Sequence, residues 1–403
     1  MSKTHRHRLL GISTLNAGIM LVITFVWLGL PYTFGDEAFF IKWTALTKKS
    51  LLGIDPKPDP EEVLFVDISG SKTIIEQPNE FGQPSPYFRQ VITDRTHLAE
   101  FLSLMAPYKE GIELIVLDVL FDQPTEADSS LQVSVDKLGD KLLGITQAPT
   151  PDTQPLVIDF SQSAMASYRT TQGAFMKYPL LYEDSLVTTP VRMYELLHQE
   201  QLDYSGTFFR FERGISLRNP IVDYKVRESD FQMGTDLVES NFTLWSMGTL
   251  LESRAFMPDE AMAEYFKDRI VIVGDFVNDV HNTPFGNTAG PLLIYNAYLS
   301  LADGNNIVSV WWVLFLFTGY WLISWRAFND IEMKLPADLA KKMNTRFGRI
   351  FLNTIDDAFL LILMTVLSYF LFRIHITILI LLVYIKVAEF CWDKRTLLKK
   401  AAT

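Results

Sequence analysis

The sequence predicts an α/β domain, a mostly parallel or mixed sheet flanked by helices, set between membrane-spanning helices, one before it and three after. Three observations lead there. Four apolar stretches, roughly residues 9–30, 308–325, 350–372 and 374–391, each approach the ~20 apolar residues that cross a bilayer core. Between the first two lie about 275 more polar residues, in which short apolar runs alternate with amphipathic ones. Charge divides along the same line. Residues 33–307 hold 40 acids against 21 bases, net −19; the rest hold 7 against 15, net +8, giving the chain's −11.

The first apolar run follows the basic "KTHRHR". It is longer than the core of a signal peptide and no small-residue cleavage site follows, so it reads as an uncleaved anchor. "DEAFFIKWTALTKKSLL" (36–52) has amphipathic helical spacing, and "GIDPKPDPEE" is a Pro-rich break. "VLFVDIS" (63–69) is a strand, "RTHLAEFLSLMAPYKEG" (95–111) a helix closed by Gly111, and "IELIVLDVLF" (112–121) a strand. "SSLQVSVDKLG" (129–139) is a helix and "KLLGIT" a strand. Continuous rather than alternating apolar strands suit a sheet covered on both faces. "LVIDF", "GTFFRFERGISL" and "IVDYKV" read as antiparallel or edge strands, and "FTLWSMGTLLE" and "DEAMAEYF" as helices. "RIVIVGDF" is the last clear strand, and "GPLLIYNAYLSLADG" a helix running straight into the second span.

Basic residues set the orientation. They cluster in residues 1–8, in the loop 326–349 and in the tail 392–403, while the turn between the last two spans offers Arg373. The positive-inside rule places those three segments in the cytoplasm and residues 33–307 outside. Cys391 is the sole cysteine, so no intramolecular disulfide forms and the outer domain must rely on a hydrophobic core. A bacterial inner-membrane protein facing the periplasm fits best. The acidic exterior argues against nucleic acid and against anionic lipid surfaces as partners. In the loop, Leu335, Leu339, Met343 and Phe347 recur at helical spacing with Lys341, Lys342 and Arg346 between them, which fits a basic amphipathic helix on the cytoplasmic surface or, equally, a simple positive-inside loop.

Several acids follow strands: Asp67, Asp118, Asp122 and Asp275. Ligands of open α/β sheets bind beyond the carboxyl ends of the strands, so these four, with Asp279 and His281, form the candidate ligand or partner crevice. Carboxylates gathered there could hold Mg²⁺ or Ca²⁺, and with His281 also Zn²⁺ or Mn²⁺. Taken singly, each Asp fits a helix cap or a turn, and that chemistry is preferred. No metal, cofactor or catalytic residue is therefore expected. No Gly-x-Gly-x-x-Gly or Gly-Lys-Ser/Thr follows Gly274, which argues against a nucleotide site. Ser69, in "DISGS", lacks an evident base. In the membrane, Asp356, Asp357 and Lys386 fall at similar depth on neighbouring antiparallel spans, which predicts a Lys386 pair with one of the two acids.

"EYFKDRIVIVGDFVNDVHNTPFG" and "GPLLIYNAYLSLADG" resemble the closing signature of the CHASE type-2 domain. "VLFVDIS", "ITDRTHLAEFL" and "IELIVLDVLFDQPTEADSSL" are similar to its opening half. The likeness spans roughly residues 55–300 in the family's order, and one span before and three after also match. It implies an extracytoplasmic sensory module of a bacterial receptor, and it names no ligand. Two features depart from the pattern. Gly290 is followed by Tyr295 and Asn296 where the family often has a His, and "DKRTLLKKAAT" stands where a kinase or cyclase output domain usually follows.

Two functions fit. One is a sensor that binds a signal or partner outside and acts through separate membrane or periplasmic proteins. The other is a scaffold subunit of an envelope complex with no small ligand. The expected partners are the lipid bilayer, other proteins and a possible second copy of the chain.

Overall fold

The computed structural model describes residues 3–31, 35–53, 57–78, 84–148, 155–166, 174–183, 185–205, 208–231, 242–305, 307–329 and 346–401. The chain forms two compact units. One comprises residues 55–202 and 222–303, the other residues 1–54, 203–221 and 304–403. Residues 203–221 thus group with the terminal segments, although they lie within the stretch 33–307 read above as one domain.

The first unit is built on a six-stranded sheet. Its spatial order is β12 (Leu244–Ser246), β1 (Val63–Asp67), β13 (Ile270–Gly274), β4 (Leu114–Asp118), β5 (Leu142–Thr146) and β6 (Gln162–Met165), and every pairing is parallel. The late strand β13 enters between the early β1 and β4. Its five residues are all buried, as are the first four of β1, β4 and β5. Burial on both faces accounts for the unbroken apolar runs. Helices α3 (Arg95–Met105), α4 (Asp128–Leu138), α6 (Met247–Ser253) and α7 (Asp259–Phe266) supply one core, in which Phe101, Leu131, Leu250 and Phe266 meet Leu64 and Val271. Helices α5 (Thr189–His198) and α8 (Gly290–Ala302) pack on each other and on the sheet. Phe65 on β1 is enclosed by Phe231, Phe242, Phe276 and Tyr295, all edge-on with ring centroids 5.1–6.1 Å away.

An antiparallel ribbon, β2 (Lys72–Pro78) and β3 (Pro84–Thr93), is inserted between β1 and α3. Ile74 and Val91 pair across it and are 61% and 63% exposed.

Three readings of this unit need correction. "LVIDF" is no strand: Val157 N–H donates to the Phe121 carbonyl, and the Phe160 ring covers the face of Gly144. "IVDYKV" is irregular because its backbone bonds to side chains rather than to a neighbouring strand. Asp223 N–H donates to Ser300 Oγ (2.8 Å) and Val226 N–H to Asn296 Oδ1 (3.0 Å). "FTLWSMGTLLE" is divided, since Leu244–Ser246 joins the sheet edge before the helix begins.

The second unit contains α1 (Lys3–Gly29), α2 (Gly35–Leu52), α9 (Val310–Phe328), α10 (Arg346–Phe372) and α11 (Ile378–Ala401). A small antiparallel sheet accompanies them, in the order β16 (Ile307–Val308), β11 (Gly214–Leu217), β10 (Phe208–Phe211) and β9 (Asp203–Ser205). The turn at 303–305 and strand β16 interrupt the predicted direct passage from α8 into the next helix. Asn219 Nδ2 donates to the Gly29 carbonyl (2.7 Å) and so caps α1, whose last carbonyls have no partner within the helix. Among the described residues one helix is long and apolar enough to cross a membrane, His7–Gly29, with mean hydropathy 2.1. Asp357–Phe372 is a shorter apolar run. The last predicted span begins later than expected, at Ile378, because Arg373 takes a left-handed conformation (φ 59°) and residues 374–377 are not helical. The predicted amphipathic loop lies largely outside the described residues.

The interior of this helical unit pairs an apolar core, with Leu316, Leu361 and Leu381 buried, with hydrogen bonds that run between helices. Asn16 Nδ2 donates to Ser324 Oγ (2.8 Å), and Tyr384 donates to Asn16 Oδ1 (2.7 Å), joining α1, α9 and α11. Trp312 Nε1 donates to Ser368 Oγ (2.8 Å), joining α9 and α10. Asp357, 1% exposed, accepts from Arg326 Nη2 (2.8 Å) and Lys386 Nζ (2.6 Å), and Lys386 also meets Glu389 (2.8 Å). The side chain of Asp356 lies outside the described residues. Leu15, Val22, Leu363, Val383 and Phe390 point outward.

Candidate functional site

Strand register creates the site. Asp67 ends β1, Gly274 ends β13 and Asp118 ends β4, all aligned at one level. With strands ~4.8 Å apart, the two acids flank the central strand at the carboxyl edge, separated by about 10 Å. The residue after β13 is Asp275.

Hydrogen bonding separates these acids into two groups. Asp67 Oδ1 accepts from the backbone N–H of Ser69 (2.9 Å) and of Phe276 (3.1 Å), and its Oδ2 accepts from Ser69 Oγ (2.6 Å). It ties the turn after β1 to the turn after β13, which is the Asx-turn role of its residue type. Asp275 accepts from Val277 N–H, Asn278 N–H and the Asn278 amide, and pairs with Lys72 Nζ at 2.7 Å. Burial alone would raise its carboxyl, but Lys72 and the Asn278 donors outweigh burial and hold it at about 2.

Asp118 is different. It is half-buried and forms no hydrogen bond or ion pair among the described residues. Burial pushes its carboxyl up to about 7; the nearby Asp279 charge pushes the same way and His281 partly offsets it. His281 Nε2 lies 3.1 Å from Asp279 Oδ1 on the hairpin of β14 (Val280–Thr283) and β15 (Gly286–Ala289). That bond raises the imidazole above its ordinary value, burial opposes it, and the charges of Asp279 and Asp118 add to the rise.

Two glycines let this cluster close. A Cβ on Gly274 would stand 2.4 Å from Pro291 Cγ and 3.1 Å from Asp118 Cβ. A Cβ on Gly290 would stand 1.9 Å from Asp279 Oδ2. Asp279 therefore lies against the first turn of α8, whose amide dipole favours a negative charge there. Its carbonyl also accepts from Gly290 N–H (2.7 Å).

The structure thus brings Asp118, Asp279 and His281 into one electrostatic cluster and commits Asp67 and Asp275 to turns. Asp122 is half-buried in the loop after β4 and has no hydrogen bond or ion pair among the described residues. Among those residues no group of three His, Cys, Asp or Glu is arranged to hold a metal ion. The cluster can exchange a proton near neutral pH and change its net charge as it does. Sequence reading missed Lys72, which only the folded ribbon carries to Asp275. It also missed Arg95, 3% exposed, which pairs with Asp128 and lies 5.3 Å from the Phe121 ring centroid. Burial would raise Asp128, but the Thr125 amide and Arg95 hold it below the ordinary range.

No curated protein and no solved structure matches the chain. A family model does: the CHASE2 domain matches residues 18–328, which is most of the chain and takes in both strands and hairpin of the crevice. CHASE2 domains are extracytoplasmic sensory modules, and the apolar helix near the N-terminus suits a membrane anchor. This chain belongs to the CHASE2 domain family.

Proposed function

We propose that the protein is a multi-pass membrane sensor that binds a signal at the Asp118–Asp279–His281 crevice and acts through separate membrane proteins. One observation carries the reading. Asp118 is the acid at the strand ends whose oxygens are not taken up by a turn, and it sits where open parallel sheets bind ligands. A half-buried carboxyl without a donor is unfavourable unless something else meets it. The reading is non-enzymatic: Ser69, the nucleophile closest in sequence to the crevice strands, spends its hydroxyl on Asp67 within its own turn.

The multi-pass part rests on how the second unit distributes its exposed apolar and buried polar side chains. Large apolar side chains face outward while Asn16, Ser324, Asp357 and Ser368 are buried and bonded between helices. Membrane bundles distribute residues this way, because lipid does not penalise exposed Leu and Val but does penalise unpaired polar groups. Four spans then leave both termini in the cytoplasm and the sheet unit in the periplasm.

A scaffold role has one observation in its favour, the exposed Ile74–Val91 pair on the ribbon, whose root is tied to the crevice through Lys72 and Asp275. The test is purification from native membranes of the wild type and of Asp118→Asn, His281→Ala and Ile74→Ser. A sensor keeps its partners but loses its response to conditions in the two crevice variants. A scaffold loses a fixed-ratio partner in Ile74→Ser and is unmoved by crevice changes.

A further inference from the structure

The helix that follows α1 has an exposed aromatic face. On α2, Phe39, Trp43 and Leu46 recur at i, i+4 and i+7, so they share one face, and they are 56%, 58% and 43% exposed. The Phe39 and Trp43 rings lie 6.0 Å apart and form a continuous aromatic patch. The adjacent face is already used: Phe40 packs against the core of the helical unit, and Thr44 is 4% exposed. On the flank away from that contact, about 60–80° from the patch at 100° per residue, Lys42 and Lys49 are exposed.

We infer that α2 lies in the bilayer interface, in the leaflet where α1 ends, with Phe39, Trp43 and Leu46 in the acyl–headgroup boundary and Lys42 reaching the lipid phosphates. Chain connectivity demands proximity. From Leu30, where α1 has just ended, to Gly35, where α2 starts, the backbone reaches at most ~17 Å. Trp and Phe beside basic side chains are the composition of helices that lie in the interface rather than cross it. The helix therefore has three distinct sides: one on the bundle, one in lipid, and a lysine flank. The inference rests on α1 spanning the membrane.

The test uses full-length protein with Cys391→Ser, reconstituted in vesicles of phosphatidylethanolamine and phosphatidylglycerol. Single cysteines replace Phe39, Trp43, Leu46, Val22 on α1 or Phe256 in the sheet unit, each with a nitroxide label. Collision with oxygen, which concentrates in lipid, is compared with collision with a water-soluble nickel complex. The expected result is an oxygen-to-nickel ratio at positions 39, 43 and 46 several-fold above that at 256 and approaching that at 22. A water-like ratio at 39, 43 and 46 with a lipid-like ratio at 22 overturns this inference and leaves the span standing. A water-like ratio at 22 overturns both. Spin–spin broadening at 43 that vanishes on dilution with unlabelled protein would assign the patch to a second copy and also overturn it. All five positions are exposed, so the labels do not disturb packing; Lys42→Glu should lower the ratio at 43.

Discussion

Both units bury apolar side chains, but they differ in the groups buried with them. At the centre of the sheet unit stands Phe65, fully buried, with four aromatic rings edge-on around it. In the helical unit Asp357, 1% exposed, is held between Arg326 and Lys386. The first pattern follows from water outside, where apolar area drives burial at roughly 25 cal/mol per Å². The second is the pattern expected of the proposed membrane setting, where the surroundings are as apolar as leucine and hydrogen bonds and ion pairs help to select the arrangement. The comparison teaches that what is buried beside an apolar core is the guide to its solvent.

The sharpest break of this comparison is at these two residues. Phe65→Ala should cost the sheet unit about 3–5 kcal/mol through lost transfer energy and the remaining cavity, read as a lowered unfolding midpoint. Asp357→Ala should cost the helical unit a similar ~3–5 kcal/mol, because Arg326 and Lys386 then face each other without the carboxylate between them. Adding Lys386→Ala to Asp357→Ala should recover part of the loss. Strictly additive losses in that cycle would show that the pair is not coupled.

Next in size are the close approaches at the crevice. Gly274→Ala and Gly290→Ala should each cost about 1–3 kcal/mol, since Pro291 and Asp279 respectively must move. Equal stability of wild type and both variants in thermal melts would contradict the tight seating of α8 on the strand ends.

Smaller effects depend on pH. Asp118 is raised from 3.8 to about 7, so the folded state binds its proton more tightly than the unfolded chain. His281 is also raised, and its contribution is present below its ordinary 6.5 and fades as pH rises through its folded value. Both make the sheet unit less stable at pH 8 than at pH 6. Asp118→Asn removes the carboxylate, so it should stabilise by on the order of 1–2 kcal/mol at pH 8, less at pH 5, and be near neutral at about pH 3, below its ordinary 3.8. The same difference at all these pH values would show that Asp118 is not held up. Asp275 has the opposite sign: lowered to about 2, it stabilises above its ordinary 3.8, and that contribution is lost as pH falls toward 2. Asp275→Asn should cost about 1 kcal/mol at pH 7 and nothing at pH 2, as judged by denaturant midpoints.

Sequence carried the parallel core well, because "VLFVD", "LIVLD", "LLGIT" and "IVIVG" are unbroken apolar runs followed by turn chemistry. It carried less where tertiary partners override local pattern. "IVDYKV" looks like a strand, yet Asn296 and Ser300 on α8 supply its hydrogen bonds from far along the chain. "LWS" joins the sheet because β1 offers it a free edge, which composition alone does not announce. The acids at strand ends were legible as a group, since each follows a strand. Which of them are consumed by turns was not, because that depends on Lys72, Asn278 and Phe276 N–H meeting them in three dimensions. The Lys386 contact was legible because a short turn between two apolar helices constrains depth, whereas Arg326 as a second partner of Asp357 required the packing of α9.

The contrast between the units is tested most directly by aqueous access to side chains that protein leaves exposed in both. In a Cys391→Ser background, single cysteines replace Phe256 in the sheet unit, 88% exposed, and Leu363 and Val383 in the helical unit, 44% and 59% exposed. Membranes are treated with a charged, membrane-impermeant maleimide without detergent, after opening so that both faces are reached. The prediction is rapid labelling at 256 and none at 363 or 383 until detergent is added. Labelling at 363 and 383 at the rate seen for 256 would contradict it, and would place the helical unit in water.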